Sequence, residues 1–388
     1  MTVLVINCGS SSVKFQLVDA DPGHATGAGA SALKGQIEQI GTRVPDHAAA
    51  LDQIAQTVKA HLARTNGQLS AIGHRVVHGG TQYRDPAIIN AQVIDAIDRL
   101  AVLAPLHNPA NNDGIKAALR SFPGVPQVAV FDTAFHATIP EAHRRYAVPE
   151  KWEREYQVRR YGFHGTSHQF VSRRCAQWLE ANRAIDPTVS RIVVLHLGNG
   201  ASACAVLGGA SIDTSMGLTP LPGLVMGTRS GDIDPAVFGH LNRVAGMSVE
   251  AVETALNRES GMVGMCADAD MRAVESRIQA GDAQAEAAMA VYIHRIRSVI
   301  GAYAIGLGGI DAVAFTAGIG ENSAYVRARV THGLEWMGMA IDDQRNAEAT
   351  LGPLGVSEIS TDASAAALLV IPTNEELEIA TQALSTLS

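Results

Sequence analysis

Four cysteines, five lysines and 5% aromatic residues are spread over 388 residues, and each shortage removes a class of function. Cys8, Cys175, Cys204 and Cys266 form no CxxC pair and lie too far apart for a zinc knuckle or ribbon, so four reduced, packed thiols are expected. Cys8 stands beside a glycine-rich turn, which leaves a reactive thiol open as the alternative. A formal net charge of −8 with so few aromatics excludes a nucleic-acid partner, which needs a basic face and stacking rings. No apolar stretch approaches the ~20 residues that span a bilayer. The first residues, MTVLVINCGSSS, carry no basic n-region and no small-residue cleavage site, so a first strand is expected there, with no membrane partner and a cytoplasmic location. Also missing are the GxxxxGK[ST] loop, the GxGxxG fingerprint, HExxH and GxSxG. A nucleotide bound here must be held by another fold.

Three stretches share one design: residues 3–12, 192–202 and 312–323 each run from a short apolar segment into a turn rich in Gly, Ser and Asn. Any one of them reads equally as a tight strand connection, because Gly supplies positive φ wherever it is needed. Three together point to backbone N–H groups gripping a polyphosphate. The length implies about two or three domains at roughly 150 residues each, with two the working number. Apolar runs and helical periodicity alternate, as in an α/β chain: a hairpin over 3–18, a helix over 47–62, a strand signal from 71, and helical patterns at 94–104 and 111–121 interrupted by Pro105 and Pro109. A strand at 127–131 ends at Asp132. Residues 140–161, charged and aromatic, mark the passage to a second domain. Residues 217–235, GLTPLPGLVMGTRSGDIDP, are long for a structureless loop and are assigned a functional role. Near the end, Thr373 and Glu376 fit a capping box that leaves Glu375 free.

Arg75 in HRVVHGG and Arg229 in MGTRSG lie between apolar and glycine residues, where a guanidinium serves either a structural ion pair or an anion clamp. Asp132 reads as a helix N-cap, and His164 and His168 as buried hydrogen-bonding groups. Lys14, one of the five lysines, adjoins the first glycine turn. Asn7 and Glu375 offer the oxygens magnesium takes, which alone is not a metal site.

The segments VLVINCGSSSVKFQL, GHRVVHGG, LAPLHNP, VFDTAFH, RRYGFHGTSH, HLGNGAS, DTSMGLTPLPGLVMGTRSGDIDP, FTAGIGENS and IPTNEELEIA follow one another through almost the whole chain. In them the chain resembles the acetokinase family, within the actin, Hsp70 and sugar-kinase superfamily. The resemblance implies an α/β fold of two duplicated actin-like (ribonuclease H-like) domains with an interdomain active-site cleft. Residues 1–145 would form the N-terminal domain, joined by a final helix at 376–388. Residues 146–375 would form a C-terminal domain for nucleotide binding and homodimer formation. It further implies that Asp132, His164, Arg229, Arg75 and His107 are catalytic, and that Arg75, Val77, Leu106, Phe163 and Pro220 bind the substrate carboxylate and its methyl group. Ser10, Ser12, Lys14, His196, Leu197, Gly198, Asn199, Gly200, Asp270, Met271, Arg272, Gly318, Ile319, Gly320, Glu321 and Asn322 would bind ATP. Asn7 and Glu375 would hold magnesium, with manganese an acceptable substitute.

The reaction so implied is reversible in-line transfer of the ATP γ-phosphoryl group to acetate, giving acetyl phosphate and ADP, with propionate or another short carboxylate as the alternative acceptor. A carboxylate is already ionised at pH 7, so positioning and charge stabilisation must supply the catalysis. Asp132 would then orient Arg75 or a metal-bound water, or accept a proton. An actin- or Hsp70-like ATPase would need a partner-binding domain that the sequence does not show, and a sugar kinase would need Asp132 as an obligatory base.

Overall fold

The computed structural model describes residues 1–9, 11–20, 31–105, 107–352 and 354–388. Among these residues the strands are β1 (Thr2–Cys8), β2 (Ser12–Asp19), β3 (Ser31–Glu38), β4 (Leu69–Val76), β5 (Ala87–Ile88), β6 (Gln127–Phe131), β7 (Arg191–Leu197), β8 (Ala201–Leu207), β9 (Ala210–Thr214), β10 (Ala312–Thr316), β11 (Ser357–Glu358) and β12 (Ala367–Val370). They form two six-stranded sheets in the orders β3-β2-β1-β4-β6-β5 and β9-β8-β7-β10-β12-β11. Pairing directions repeat too: two antiparallel pairs, two parallel pairs, then a short antiparallel edge strand. One α/β unit is therefore used twice.

The chain separates into two compact units. The first comprises Met1–Ala137, Phe163–Phe170 and Asn374–Ser388, and the second Thr138–Gly162 and Val171–Thr373. In the first, Val3, Leu4, Val5 and Ile6 of β1 are all buried, the unbroken apolar run expected of a strand covered on both faces. Leu4, Ile6 and Ile72 pack with Leu51 and Ile54 of the helix His47–Thr65, which Asp46 caps by accepting from the Ala49 N–H at 2.8 Å. The final helix, Glu375–Leu387, lies so close to β4 that a Cβ at Gly73 would come within 2.7 Å of Ile379. In the second unit, Val193, Leu195, Val206, Val313, Phe315 and Leu369 bury the sheet, and Tyr292, Ile296 and Ile300 do the same for the long helix Ala283–Leu307.

Several sequence expectations change. Pro109 does not interrupt a helix but begins one, Asn108–Ser121, at the first-turn position where a missing N–H costs nothing. The third glycine-rich stretch closes into a short helix, Ala317–Asn322, instead of an open turn. The last helix is capped not by Thr373 but by Asn374, whose side chain accepts from the Leu377 N–H at 2.9 Å; this places Glu375 at the first helical position. Cys8 is buried among neighbours that push its thiol up to about 12, chiefly through burial and secondarily through Asp113, so the reactive reading fails.

Candidate active site

The first unit's site grows from one row across its sheet. Asn7 on β1 pairs in register with Lys14 on β2 and with Arg75 on β4, so the three side chains stand on one face. Lys14 is exposed, whereas Ser12, Asn7 and Arg75 are half-buried. Arg75 Nε donates to Asp132 Oδ1 at 3.0 Å, Nη2 donates to Asp132 Oδ2, and Nη1 donates to Asn7 Oδ1 at 3.3 Å. Of the five guanidinium N–H groups, one on each terminal nitrogen remains for a ligand. Asp132 follows β6 and is 1% exposed. Burial pushes its carboxyl above the ordinary range, against the pull of Arg75 and with a further push from Glu375. Burial would weaken the Arg75 cation, but Asp132 and then Glu375 outweigh it and hold the guanidinium protonated.

The helix Asn108–Ser121 supplies the scaffold. Asn111 Nδ2 donates to the Cys8 carbonyl at 2.6 Å, and its Oδ1 accepts from the Val77 N–H at 3.1 Å. Asn108 exchanges two hydrogen bonds of 3.1 Å with the backbone of His78. These buried amides fix the exits of β1 and β4, and the sequence reading missed them, although NPANN places three Asn on a helix where polar side chains need a reason. Val77 and Phe163 are buried, and Phe163 meets the His78 ring edge-on at 5.7 Å between centroids. His107 is half-buried at the N-cap of this helix, while Leu106 and Ser10 lie outside the described residues. His164 is held at φ 56° immediately before the helix Gly165–Arg183, a left-handed conformation that costs a non-glycine residue about 1 kcal/mol or more and recurs where geometry serves function. Thr166, also missed, donates to Glu375 Oε2 at 2.9 Å.

Glu375 Oε2 lies 3.9 Å from Arg75 Nε. Two carboxylates, Asp132 and Glu375, thus face one guanidinium, leaving a surplus negative charge beside the Asn7 amide oxygen. Among the described residues no group of three or more His, Cys, Asp or Glu forms a cage for a metal ion. Magnesium does not require one: a carboxylate and an amide oxygen, completed by phosphate and water, suit it, and Asn7 with Glu375 fits that donor set.

The second unit places the remaining residues on its own sheet. His196 on β7 pairs with Ser202 on β8 and Thr316 on β10; it is the counterpart of Asn7, one residue before the strand end. After Leu197, the Gly198 N–H donates to the Gly200 carbonyl at 3.1 Å, and the Asn199 carbonyl accepts from the Gly227 N–H at 3.0 Å. A Cβ at Gly227 would collide with Asn199 Oδ1, so a larger residue there would have to turn the Asn199 side chain aside for the 217–235 segment to dock against this turn. Two residues on, Arg229 is half-buried; its Nη1 donates to the Pro220 carbonyl at 3.2 Å and approaches Met226 Sδ at 3.6 Å. No carboxylate among the described residues pairs with it, and burial lowers its pKa.

Gly318, Ile319, Gly320, Glu321 and Asn322 lie in the short helix after β10, whose first residue, Ala317, has φ 64°. Glu321 Oε1 accepts from the backbone N–H of Ala317 at 2.8 Å and of Thr373 at 3.1 Å, so one of its oxygens is committed to holding the ends of β10 and of the segment after β12. Asp270 caps the helix Met271–Gln279 and pairs with Arg272 at 2.7 Å on the surface, while Met271 is buried.

The repeated sheet is that of the duplicated actin-like fold class, and the chain's relatives make it a phosphotransferase with a carboxyl acceptor. A family model described as the acetokinase family matches residues 2–381. Acetate kinase of Streptomyces avermitilis is 52% identical over 395 residues, covering 98% of this chain and 96% of its own, and that of Micrococcus luteus is 49% identical over 388 residues with 98% of each covered. Among solved structures, Porphyromonas gingivalis acetate kinase superposes with a TM-score of 0.90 at 37% identity over 100% of both chains. A propionate kinase from Francisella tularensis gives 0.88 at 39% identity over 99% of both. The chain belongs to the acetokinase family.

Proposed function

We infer that this chain is a phosphotransferase with a carboxyl acceptor that moves the γ-phosphoryl group of ATP reversibly to acetate, giving acetyl phosphate and ADP. The observation that carries the reading is the match at about half identity, along nearly the whole chain, to acetate kinases of several organisms. An acetate oxygen attacks the γ-phosphorus in line, the bond to the β,γ-bridging oxygen breaks, and ADP leaves with that electron pair. Because acetate is ionised at neutral pH, no general base is required, and Asp132 serves to orient Arg75, in keeping with its two-point hold on the guanidinium.

Arg75 would direct its two remaining N–H groups at acetate and the incoming phosphoryl oxygens, with Val77, Leu106, Phe163 and Pro220 around the methyl group and His107 beside them. Arg229 and His164 would stabilise the equatorial oxygens. Ser10, Ser12, Lys14, the 196–200 turn, residues 270–272 and residues 318–322 would hold the nucleotide. Magnesium, or manganese in its place, would be held by Asn7 and Glu375 and would supply charge shielding between the phosphates. Residues 1–145 with 376–388 would be the carboxylate-side domain and 146–375 the nucleotide and dimerisation domain. A homodimer through that second domain is supported by Val291 and Ile305, exposed on the helix Ala283–Leu307. The protein is assigned to the cytoplasm; no helix among the described residues is long and apolar enough to cross a membrane.

The test is purified protein with Mg-ATP and acetate, propionate or butyrate, the product trapped with hydroxylamine. Acetohydroxamate should form with the highest kcat/KM. A pocket discriminates one methylene by only ~1–3 kcal/mol, roughly 10- to 200-fold, so a reversed order would assign the chain to propionate, and release of inorganic phosphate alone would refute the reading.

A further inference from the structure

Thr166 is the second residue of the helix Gly165–Arg183 and is 2% exposed. Gly165 donates its N–H to the Asp132 carbonyl at 3.0 Å, and any Cβ there would strike that oxygen, so the glycine presses the helix start against Asp132. This brings the Thr166 hydroxyl between two carboxylates, 2.9 Å from Glu375 Oε2 and 3.5 Å from Asp132 Oδ1. A hydroxyl has one hydrogen to give, and the shorter contact assigns it to Glu375. The same Oε2 is the Glu375 oxygen that faces Arg75, at 3.9 Å. Arg75 Nε and Nη2 are already engaged by Asp132. Among the described residues, Glu375 Oε1 carries no hydrogen bond from the protein.

We propose that Thr166 is a positioning residue for the divalent cation: its hydroxyl pins Glu375 Oε2, keeps that carboxylate from closing onto Arg75, and leaves Oε1 to face the metal. This rests on the reading that Glu375 holds the cation. Without the hydroxyl, the nearest protein group left to Glu375 Oε2 among the described residues is the Arg75 guanidinium, and both the metal-holding carboxylate and the anion-holding arginine are drawn out of place. The methyl group of Thr166 plays no part, so serine should substitute for it.

Manganese(II) binding to the full-length protein with ADP, followed by electron paramagnetic resonance, separates these ideas without measuring turnover. Thr166→Val should weaken manganese binding about tenfold, the usual effect of losing one hydrogen bond to a metal-holding group. Thr166→Ser should stay within about twofold of the unaltered protein, on the same scale. In kinetics the valine variant should raise the KM for Mg-ATP more than it lowers kcat, with the KM for acetate unchanged. Glu375→Gln provides the reference. If it weakens manganese binding while Thr166→Val does not, the role of Thr166 is overturned and the metal reading stands. If Glu375→Gln binds manganese as tightly as the unaltered protein, both fall. A serine variant as weak as the valine one would assign the effect to packing and likewise overturn the proposal. Should Thr166→Val lack a cooperative melt, Thr166→Ala is measured in its place against the same outcomes.

Discussion

Arg75 and Arg229 occupy the two units with opposite electrostatic company. Arg75 is surrounded by oxygen: both oxygens of Asp132, the amide of Asn7 and, farther off, Glu375. Arg229 has a carbonyl and a thioether, and its cation is weakened by burial with no carboxylate to offset it. A guanidinium held by an internal acid is oriented, whereas one kept half-buried without an acid is destabilised until an anion arrives. The largest expected effect tests this difference. Arg229→Ala and Arg75→Ala should each lower kcat by about 100- to 1,000-fold, the usual loss on removing one preorganised donor of ~3–4 kcal/mol. Their stabilities should diverge: the melting temperature of Arg229→Ala should hold or rise, and that of Arg75→Ala should fall. Equal destabilisation of both would break the contrast.

The Arg75 side of the comparison has a pH signature. Asp132 titrates above the ordinary carboxylate range because of burial, with Arg75 opposing that shift. A carboxyl raised in the folded state favours folding while it is protonated, and that contribution is lost as pH rises from about 4 through the raised native value. Taking away Arg75 removes the opposing pull and widens the window. The deficit of Arg75→Ala should therefore be small near pH 4 and grow toward roughly 3 kcal/mol at pH 8, the scale of an uncompensated buried charge. Thermal melts at several pH values check the slope, and adding Asp132→Asn to the variant should flatten it. A deficit independent of pH would mean that Asp132 is not the buried charge responsible.

The duplication was faintly legible in the recurring apolar run and glycine turn, and the outer strands were not. β12, ALLV, lies inside the continuous apolar run AAALLVI, which has no alternation to separate it from a buried helical fragment, and β3 lies in a stretch whose Gly and Ala content reads as turn. At the site, Arg75 stood out as a guanidinium between apolar and glycine residues, whereas Asp132 read as a helix N-cap and Asn7 and Glu375 drew their roles from the family resemblance alone; the structure brings these four together. What escaped was the polar scaffold. Asn108, Asn111 and Thr166 act through one or two side-chain hydrogen bonds each, to partners up to 209 positions away, and no local periodicity encodes such a contact.

The units also differ in what holds their strand ends. In the first, Asn111 bridges the Cys8 carbonyl and the Val77 N–H; in the second, Glu321 Oε1 gathers the N–H groups of Ala317 and Thr373. An amide gives and accepts, whereas a carboxylate only accepts, so the two devices fail differently. Asn111→Leu would strand one buried donor and one buried acceptor, at about 1–3 kcal/mol for each group left unsatisfied. The expected result is a lower melting temperature with a higher KM for acetate, because Val77 is the residue released. Glu321→Gln keeps an acceptor oxygen and should cost less stability than Asn111→Leu; the reverse order would show that the charge at Glu321, and not its geometry, holds the second unit.

The smallest effect concerns the helix that carries Glu375. Its N-terminus is capped by Asn374, and Glu375, Glu376 and Glu378 fill its first turn, where carboxylates favour the positive end of the helix dipole. The short helix Ala317–Asn322 of the second unit begins instead at Thr316, with no side-chain cap and no acid in its first turn. Asn374→Ala should thus cost about 1 kcal/mol of stability, the usual worth of an N-cap. Asn374→Ser should recover most of it, since a serine hydroxyl can also accept from the Leu377 N–H. Because Glu375 is the next residue, the alanine variant should also loosen the carboxylate and weaken manganese binding by a smaller factor than Thr166→Val. If capping loss moved manganese binding more than loss of the Thr166 hydroxyl did, the position of Glu375 would be set by its helix and not by the side chain that touches it.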